Sequence, residues 1–229
     1  MKLMQGVIML SIIIFSQSTV QGLDVRDIID SLAIYKMKSN SLSQEVEMEL
    51  HTKSGINIKK FLYYAKYNKM IRIDQTYPIK WMKIYNKGNI HIADNNGIIE
   101  KKAEDYSIRQ MRIDAYSLLN YYPEDINKRY KVYIVNNTID FIEIKMIPKE
   151  ELDKIKFINM EIDKSNWQLK GEQIIRCNSK VDVSIYYNNI NEIVCIDIKT
   201  DYLSNEIIRL VIKYSNISRK QIDDSLFAF

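Results

Sequence analysis

Glu45-Val46-Glu47-Met48-Glu49-Leu50 sets a carboxylate at every odd position and an apolar side chain at every even one. Successive side chains of a strand point to opposite faces, so this period of two predicts a strand over 45–52 with one wet and one buried face. The same alternation, heavy in Ile, Val and Tyr, returns over 56–64, 69–75, 80–86, 89–94, 98–102, 130–135, 138–146, 155–163, 166–170, 172–178, 181–187, 192–200 and 206–214. Turn-forming residues separate the runs at 53–55, 86–89, 95–97, 136–137, 165–166, 170–171 and 188–189. Many short strands in series predict a mainly β fold, a strongly curved antiparallel sheet forming an incomplete, half-open barrel.

Such a sheet must cover its apolar face. Ahead of the first strand, Asp24 can cap a helix over 24–37 whose Val25, Ile28, Ile29, Leu32 and Tyr35 recur at three- and four-residue intervals. Over 105–122 the alternation lapses, and Met111, Tyr116, Leu118 and Leu119 read as short helical turns ended by Pro123. These pieces are expected to seal a core or to lid a cavity.

At the N-terminus Lys2 precedes an apolar run over 7–15 and a small, polar segment ending at Gly22. The run is far shorter than the roughly 20 residues a membrane-spanning helix needs, so residues 1–22 read as a secretory signal peptide cleaved near Gly22. Residues 23–229 then form one domain, because Gly55, Gly88, Gly97, Gly171, Pro78, Pro123 and Pro148 are too few and scattered to make a linker. Cleavage removes only Lys2 from a formal net charge of +4, and a balance this small excludes the basic footprint of a nucleic-acid binder. Cys177 and Cys195, eighteen positions apart, permit a disulfide without requiring one. His51 and His91 have no clustered ligands around them, so neither a metal site nor a cofactor is expected.

Several segments, taken in order, carry a resemblance. An amphipathic helix and a first strand turning at Gly55 are followed by Tyr64-Ala65-Lys66-Tyr67-Asn68-Lys69-Met70-Ile71-Arg72-Ile73 and by the hairpin Ile84-Tyr85-Asn86-Lys87-Gly88-Asn89-Ile90-His91-Ile92. Further on come Phe141-Ile142-Glu143-Ile144-Lys145-Met146-Ile147-Pro148-Lys149, the strand over 155–163, and an ending in Tyr214-Ser215-Asn216-Ile217 and Leu226-Phe227-Ala228-Phe229. Together they resemble the periplasmic outer-membrane lipoprotein carrier (LolA) family. The resemblance implies a periplasmic chaperone that holds acyl chains of lipoproteins in a hydrophobic cavity and carries them from the inner to the outer membrane. It also implies loading by an ATP-driven inner-membrane transporter, and passage of cargo to an outer-membrane acceptor or to the membrane itself. The chain is expected to act as a monomer. Where the family has an arginine that serves cargo release, this chain has Tyr67, with Lys66, Lys69 and Arg72 close by as candidate release or partner contacts. The family's next proline is Asn68, and 166–205 contains an extra hairpin.

No Gly-rich phosphate loop, G-x-S-x-G or His-x-x-x-His occurs, so the residues give catalysis no foothold and no enzyme is expected. Glu45, Glu47 and Glu49 read as the wet side of the sheet, and His91 as solvent-facing. Alternation assigns one concave side to Val46, Met48, Leu50, Ile71, Ile73, Met82, Ile84, Ile90, Ile92, Ile142, Ile144, Met146, Ile158, Met160 and Ile162. In a closed fold these are plain core. Seven methionines beyond residue 22 lean toward an adaptable cavity, and the resemblance makes this face, with Leu32 and Leu118 from the helical cover, the lipid site. A periplasmic sensor domain of the same fold, binding a lipid signal or a membrane-protein partner, is the alternative reading.

Overall fold

The computed structural model describes residues 28, 41–66, 70–102, 111, 126, 128–150, 154–204 and 206–228. Its strands are β1 (Ser41–Thr52), β2 (Gly55–Lys66), β3 (Met70–Tyr77), β4 (Trp81–Asn86), β5 (Asn89–Asp94), β6 (Gly97–Lys102), β7 (Tyr130–Asn137), β8 (Phe141–Pro148), β9 (Ile155–Asp163), β10 (Gln168–Arg176), β11 (Ser179–Tyr187), β12 (Ile193–Tyr202) and β13 (Ile207–Ser218). All thirteen join one sheet in the order β6-β5-β4-β3-β2-β1-β13-β12-β11-β10-β9-β8-β7. Each neighbouring pair is antiparallel. The sheet curls without closing into a barrel, as its alternation predicts. It consists of two meanders, β1 to β6 and β7 to β13, sewn together where β1 pairs β13.

Local chemistry explains the tight connections. Asn86 pairs Asn89 across a two-residue loop whose Lys87 and Gly88 have φ of 48° and 86°. Positive φ at both positions is the turn whose twist matches a hairpin, and glycine takes it without a Cβ penalty. Gly171 has a different task. The sequence predicts separate strands over 166–170 and 172–178, but the structure has one strand, β10, with a register shift between Leu169 and Gly171. A Cβ at Gly171 would stand 3.1 Å from the Val183 carbonyl oxygen, so this glycine permits a close approach within a bulged strand instead of a turn.

Ile28, Met111 and Ile126 are helical and bury all but 4% or less of their surface in the same cluster as Val46, Ile73, Ile144 and Met160. Helical residues therefore lie over the apolar face, as expected of a sheet with one wet side. The remainder of the predicted helices over 24–37 and 105–122, including Leu32 and Leu118, and the signal segment over 1–22 lie outside the described residues. Cys177 and Cys195 are free thiols.

The C-terminus crosses to the convex side. A 3₁₀ turn, Asp224–Phe227, is capped by the Asp223 carboxylate, which accepts the Ser225 N–H at 2.7 Å. It rests against β3 and β4. Arg72 Nη1 donates to the Leu226 carbonyl at 2.8 Å and Asn86 Nδ2 to the Phe227 carbonyl at 3.1 Å. Lys66 Nζ donates to the Ile222 carbonyl at 3.2 Å and pairs with Asp224.

Candidate functional site

Cross-strand partners share a face, so the register carries the concave surface from strand to strand. From β1, Val46 leads to Phe61, Gln75 and Trp81, and the Phe61 and Trp81 rings meet edge-on at 6.2 Å. A second row runs Gln44, Tyr63, Ile73, Lys83, Ile92, Ile99. In the other direction Met48 leads to Ile212, Ile196 and Ile185. Farther along, Ile158 faces Ile174 and Met146, and Met160 faces Glu172 and Ile144. The result is one largely apolar floor, interrupted by Gln44, Gln75, Lys83 and Glu172, that crosses the β1–β13 seam.

Most of the sequence-predicted lipid residues lie on this floor: Val46, Met48, Leu50, Ile71, Ile73, Ile90, Ile92, Ile142, Ile144, Met146, Ile158 and Met160. Met82 and Ile84 do not. They pair with Asp74 and Arg72 and with Ala93 and His91, which places them on the convex face. The concave residues of β4 are Trp81, Lys83 and Tyr85. Ile84 is nevertheless fully buried and lies apart from the main core cluster, because the C-terminal turn, with Phe227 1% exposed, sits over this patch of the convex side. The sequence missed this because either parity of β4 carries large apolar residues. Lys66 and Arg72, the candidate release or partner contacts, hold the C-terminal turn, and Arg72 also binds Asp74 at 2.9 Å. Tyr67 and Lys69 lie outside the described residues.

Coverage of the floor is uneven. Over β8 and β9, Ile142, Ile144, Met146, Ile158 and Met160 are at most 4% exposed. Over β4 to β6, Trp81, Lys83, Tyr85 and Ile92 are half-buried and Ile99 is 61% exposed. The floor is thus covered over β8 and β9 and exposed at the edge strand β6, although Ile90 of β5 is fully buried and Val132 and Ile134 of β7 are half-buried. Within the floor, Gln44 is buried and its Nε2 has no hydrogen-bond partner among the described residues.

On the convex side the Glu row is wet and paired. Lys60 stands 2.8 Å from Glu47, and Lys213 bridges Glu47 at 3.3 Å and Glu49. These partners hold the Glu47 and Glu49 carboxyls below their ordinary range, chiefly through hydrogen bonds from Lys60 and Lys213 respectively. His91 is only partly exposed and faces Glu100 at 3.8 Å. A shallow depression of about 320 Å³ on β8 to β11 is lined by Glu143, Glu161 and Asp182 beside Gly171, but no metal-binding group occurs among the described residues.

A single open antiparallel sheet curled around an apolar floor, with helical residues laid on it, is a LolA-like fold. A LolA superfamily protein from Nitrosomonas europaea is similar over 91% of this chain and 99% of its own, with a TM-score of 0.56 at 10% identity. A DUF1329 family protein from Desulfovibrio piger matches 89% of this chain and 96% of its own, with a TM-score of 0.55 at 13% identity. A Vibrio parahaemolyticus domain named for outer membrane lipoprotein sorting matches 89% and 95%, with a TM-score of 0.55 at 8% identity. No protein-family model and no curated protein matches the sequence. The likeness is one of fold.

Proposed function

We propose that the protein is a periplasmic carrier that binds acyl chains of lipoproteins on its concave floor and ferries them from the inner to the outer membrane. In this reading residues 1–22 are the export signal and 23–229 a single carrier domain that does no chemistry of its own. The observation that supports it is the largely apolar concave floor, exposed at the edge strand β6 and carrying the helical residues Ile28, Met111 and Ile126 against its core. The fold shared with a lipoprotein-sorting domain points the same way.

Energetics restricts how such a carrier works. Each methylene contributes about 0.8 kcal/mol in a membrane, so several long acyl chains are held by roughly 30–40 kcal/mol. Noncovalent binding ends near about 20 kcal/mol. A carrier cannot extract this cargo by affinity, and an ATP-driven inner-membrane transporter must load it. Unloading needs an acceptor or the outer membrane itself.

Met48→Glu and Glu47→Lys test the face. Met48 lies on the floor with Lys59 directly opposite, so a carboxylate there has a partner and the fold survives. Covering that carboxylate with hydrocarbon costs more than burying a neutral polar group, for which the cost is already about 2–7 kcal/mol. Photocrosslinking to an acylated lipoprotein should fall sharply for Met48→Glu and stay near wild type for Glu47→Lys, with circular dichroism unchanged in both. Equal crosslinking of the two variants would reject this floor as the lipid site.

A further inference from the structure

Lys83 and Lys101 are on the wrong face for ordinary surface lysines. Register sets Lys83 opposite Ile73 on one side and Ile92 on the other, and Lys101 opposite Ile90. Both therefore belong to the concave floor, at its uncovered end. Lys83 is half-buried, while Lys101 is exposed on the edge strand β6. On the convex face Lys60, Lys180, Lys199 and Lys213 each stand within 3.3 Å of a carboxylate oxygen, whereas Lys131 and Lys145 on that face and Lys59 on the concave one form no described ion pair. Among the described residues no carboxylate is in ion-pair range of Lys83 or Lys101. Burial, reinforced by the positive charge of Lys101, pushes the Lys83 ammonium below the ordinary lysine range. Two like charges thus share an apolar mouth without a described counter-charge, beside the half-buried ring of Trp81 and the exposed Ile99.

We propose that Lys83 and Lys101 form an anion-recognition subsite at the β6 end of the concave floor, which takes the phosphate or carboxylate head of an amphiphile whose acyl tail lies on that floor. The inference rests on the acyl-binding reading and adds the chemistry of the ligand's head. An ammonium is a compact point charge with three donors, suited to a phosphate that arrives without fixed orientation. An anion there relieves the repulsion between the two lysines. From Lys83 the row through Ile73 and Tyr63 leads into the covered floor, so the tail has an apolar path inward.

The test compares two lipids that differ only in the phosphate, palmitoyl lysophosphatidic acid and monopalmitoylglycerol, by calorimetric titration of the purified protein. Inorganic phosphate alone forms a third arm. Wild type should prefer the phosphorylated lipid about tenfold, the span of a charge-assisted hydrogen bond. Lys83→Gln and Lys101→Gln should each lose part of the preference, and the double variant all of it, while monopalmitoylglycerol still binds and circular dichroism stays unchanged. An equal preference in the double variant, or none in wild type while both lipids bind, overturns the head-group subsite and leaves the acyl floor standing. If neither lipid binds any form, the acyl-binding reading fails and the subsite with it. Inorganic phosphate binding as tightly as the lipid would overturn the head-group assignment in favour of a free-anion site.

Discussion

On the convex face Glu47 and Glu49 share Lys213, Glu47 adds Lys60, and Asp197 takes Arg209 at 2.6 Å. On the concave face of the same central strand, Gln44 keeps a buried amide nitrogen without a partner, and three strands away Lys83 lacks a described counter-charge. The convex side pairs these charged groups within the chain, although Asn86 Oδ1 and Asp201 Oδ1 on that side have no partner among the described residues. The concave side leaves donors unused. A buried donor left unmade costs about 1–3 kcal/mol, so a floor that keeps the Gln44 amide unpaired and Lys83 without a described counter-charge is less well optimised as a permanent core than as a surface for something that arrives.

The largest expected effect lies where the contrast is least tidy. The convex face has its own apolar plug, and Phe227→Ala should cost about 3 kcal/mol if the C-terminal turn belongs to the cooperative unit. Thermal unfolding measures this. A cost under about 1 kcal/mol would mean that the turn undocks on its own, and that Ile84 is covered only by a local, separable element.

A smaller effect of opposite sign is expected inside the concavity. Gln44→Leu removes the unpartnered donor from a buried, apolar setting and should stabilise the protein by about 1 kcal/mol, seen as a higher urea midpoint with unchanged slope. Destabilisation would show that the amide is already engaged, and the two faces would then be alike.

The smallest effect belongs to the half-buried, solvent-facing pair Glu47 and Glu49. Since the Glu47 and Glu49 carboxyls sit below their ordinary value of 4.5 in the folded chain, their contribution is present above that value and is lost as pH falls through their lowered folded values. Unfolding midpoints taken across the acid range should show a shallow loss for wild type that is absent in Glu47→Gln/Glu49→Gln. About 1 M salt should flatten the difference, because exposed pairs are screened. A loss that persists in the double variant would place the acid sensitivity elsewhere.

Alternation along the chain reveals that strands exist, but not how neighbouring strands are phased. Glu45 to Leu50 reads correctly because one parity is charged and the other apolar. In β4 both parities carry large apolar groups: Trp81 and Tyr85 on one, Met82 and Ile84 on the other. Phase is then set by the pairing of Met70 with Asn86 and of Asn86 with Asn89, a tertiary outcome of the flanking turns. Ile84 is buried for a reason more than 140 positions away, as the Asn86–Phe227 hydrogen bond spans 141. Gly171 shows a related limit, since a glycine between two alternating runs suits a turn or a bulge equally, and only the approach of Val183 decides. Lys83 escaped attention because a lysine in a strand ordinarily marks the wet side.

The seam between β1 and β13 has a kinetic consequence. Every other neighbouring pair of strands is consecutive in sequence, so each meander can assemble hairpin by hairpin from local contacts. The seam instead joins residues such as Glu47 and Lys213, 166 positions apart, and must close the longest loop in the molecule. Each doubling of a loop adds only about 0.6 kcal/mol of entropic cost, so the closure is tolerable once both meanders exist but unfavourable before. Topology therefore predicts that two half-sheets form first and dock along their central edges last. Until they do, β1 and β13 are bare edges of the kind that invite pairing between chains, and the interval before docking is when this protein is most exposed to aggregation.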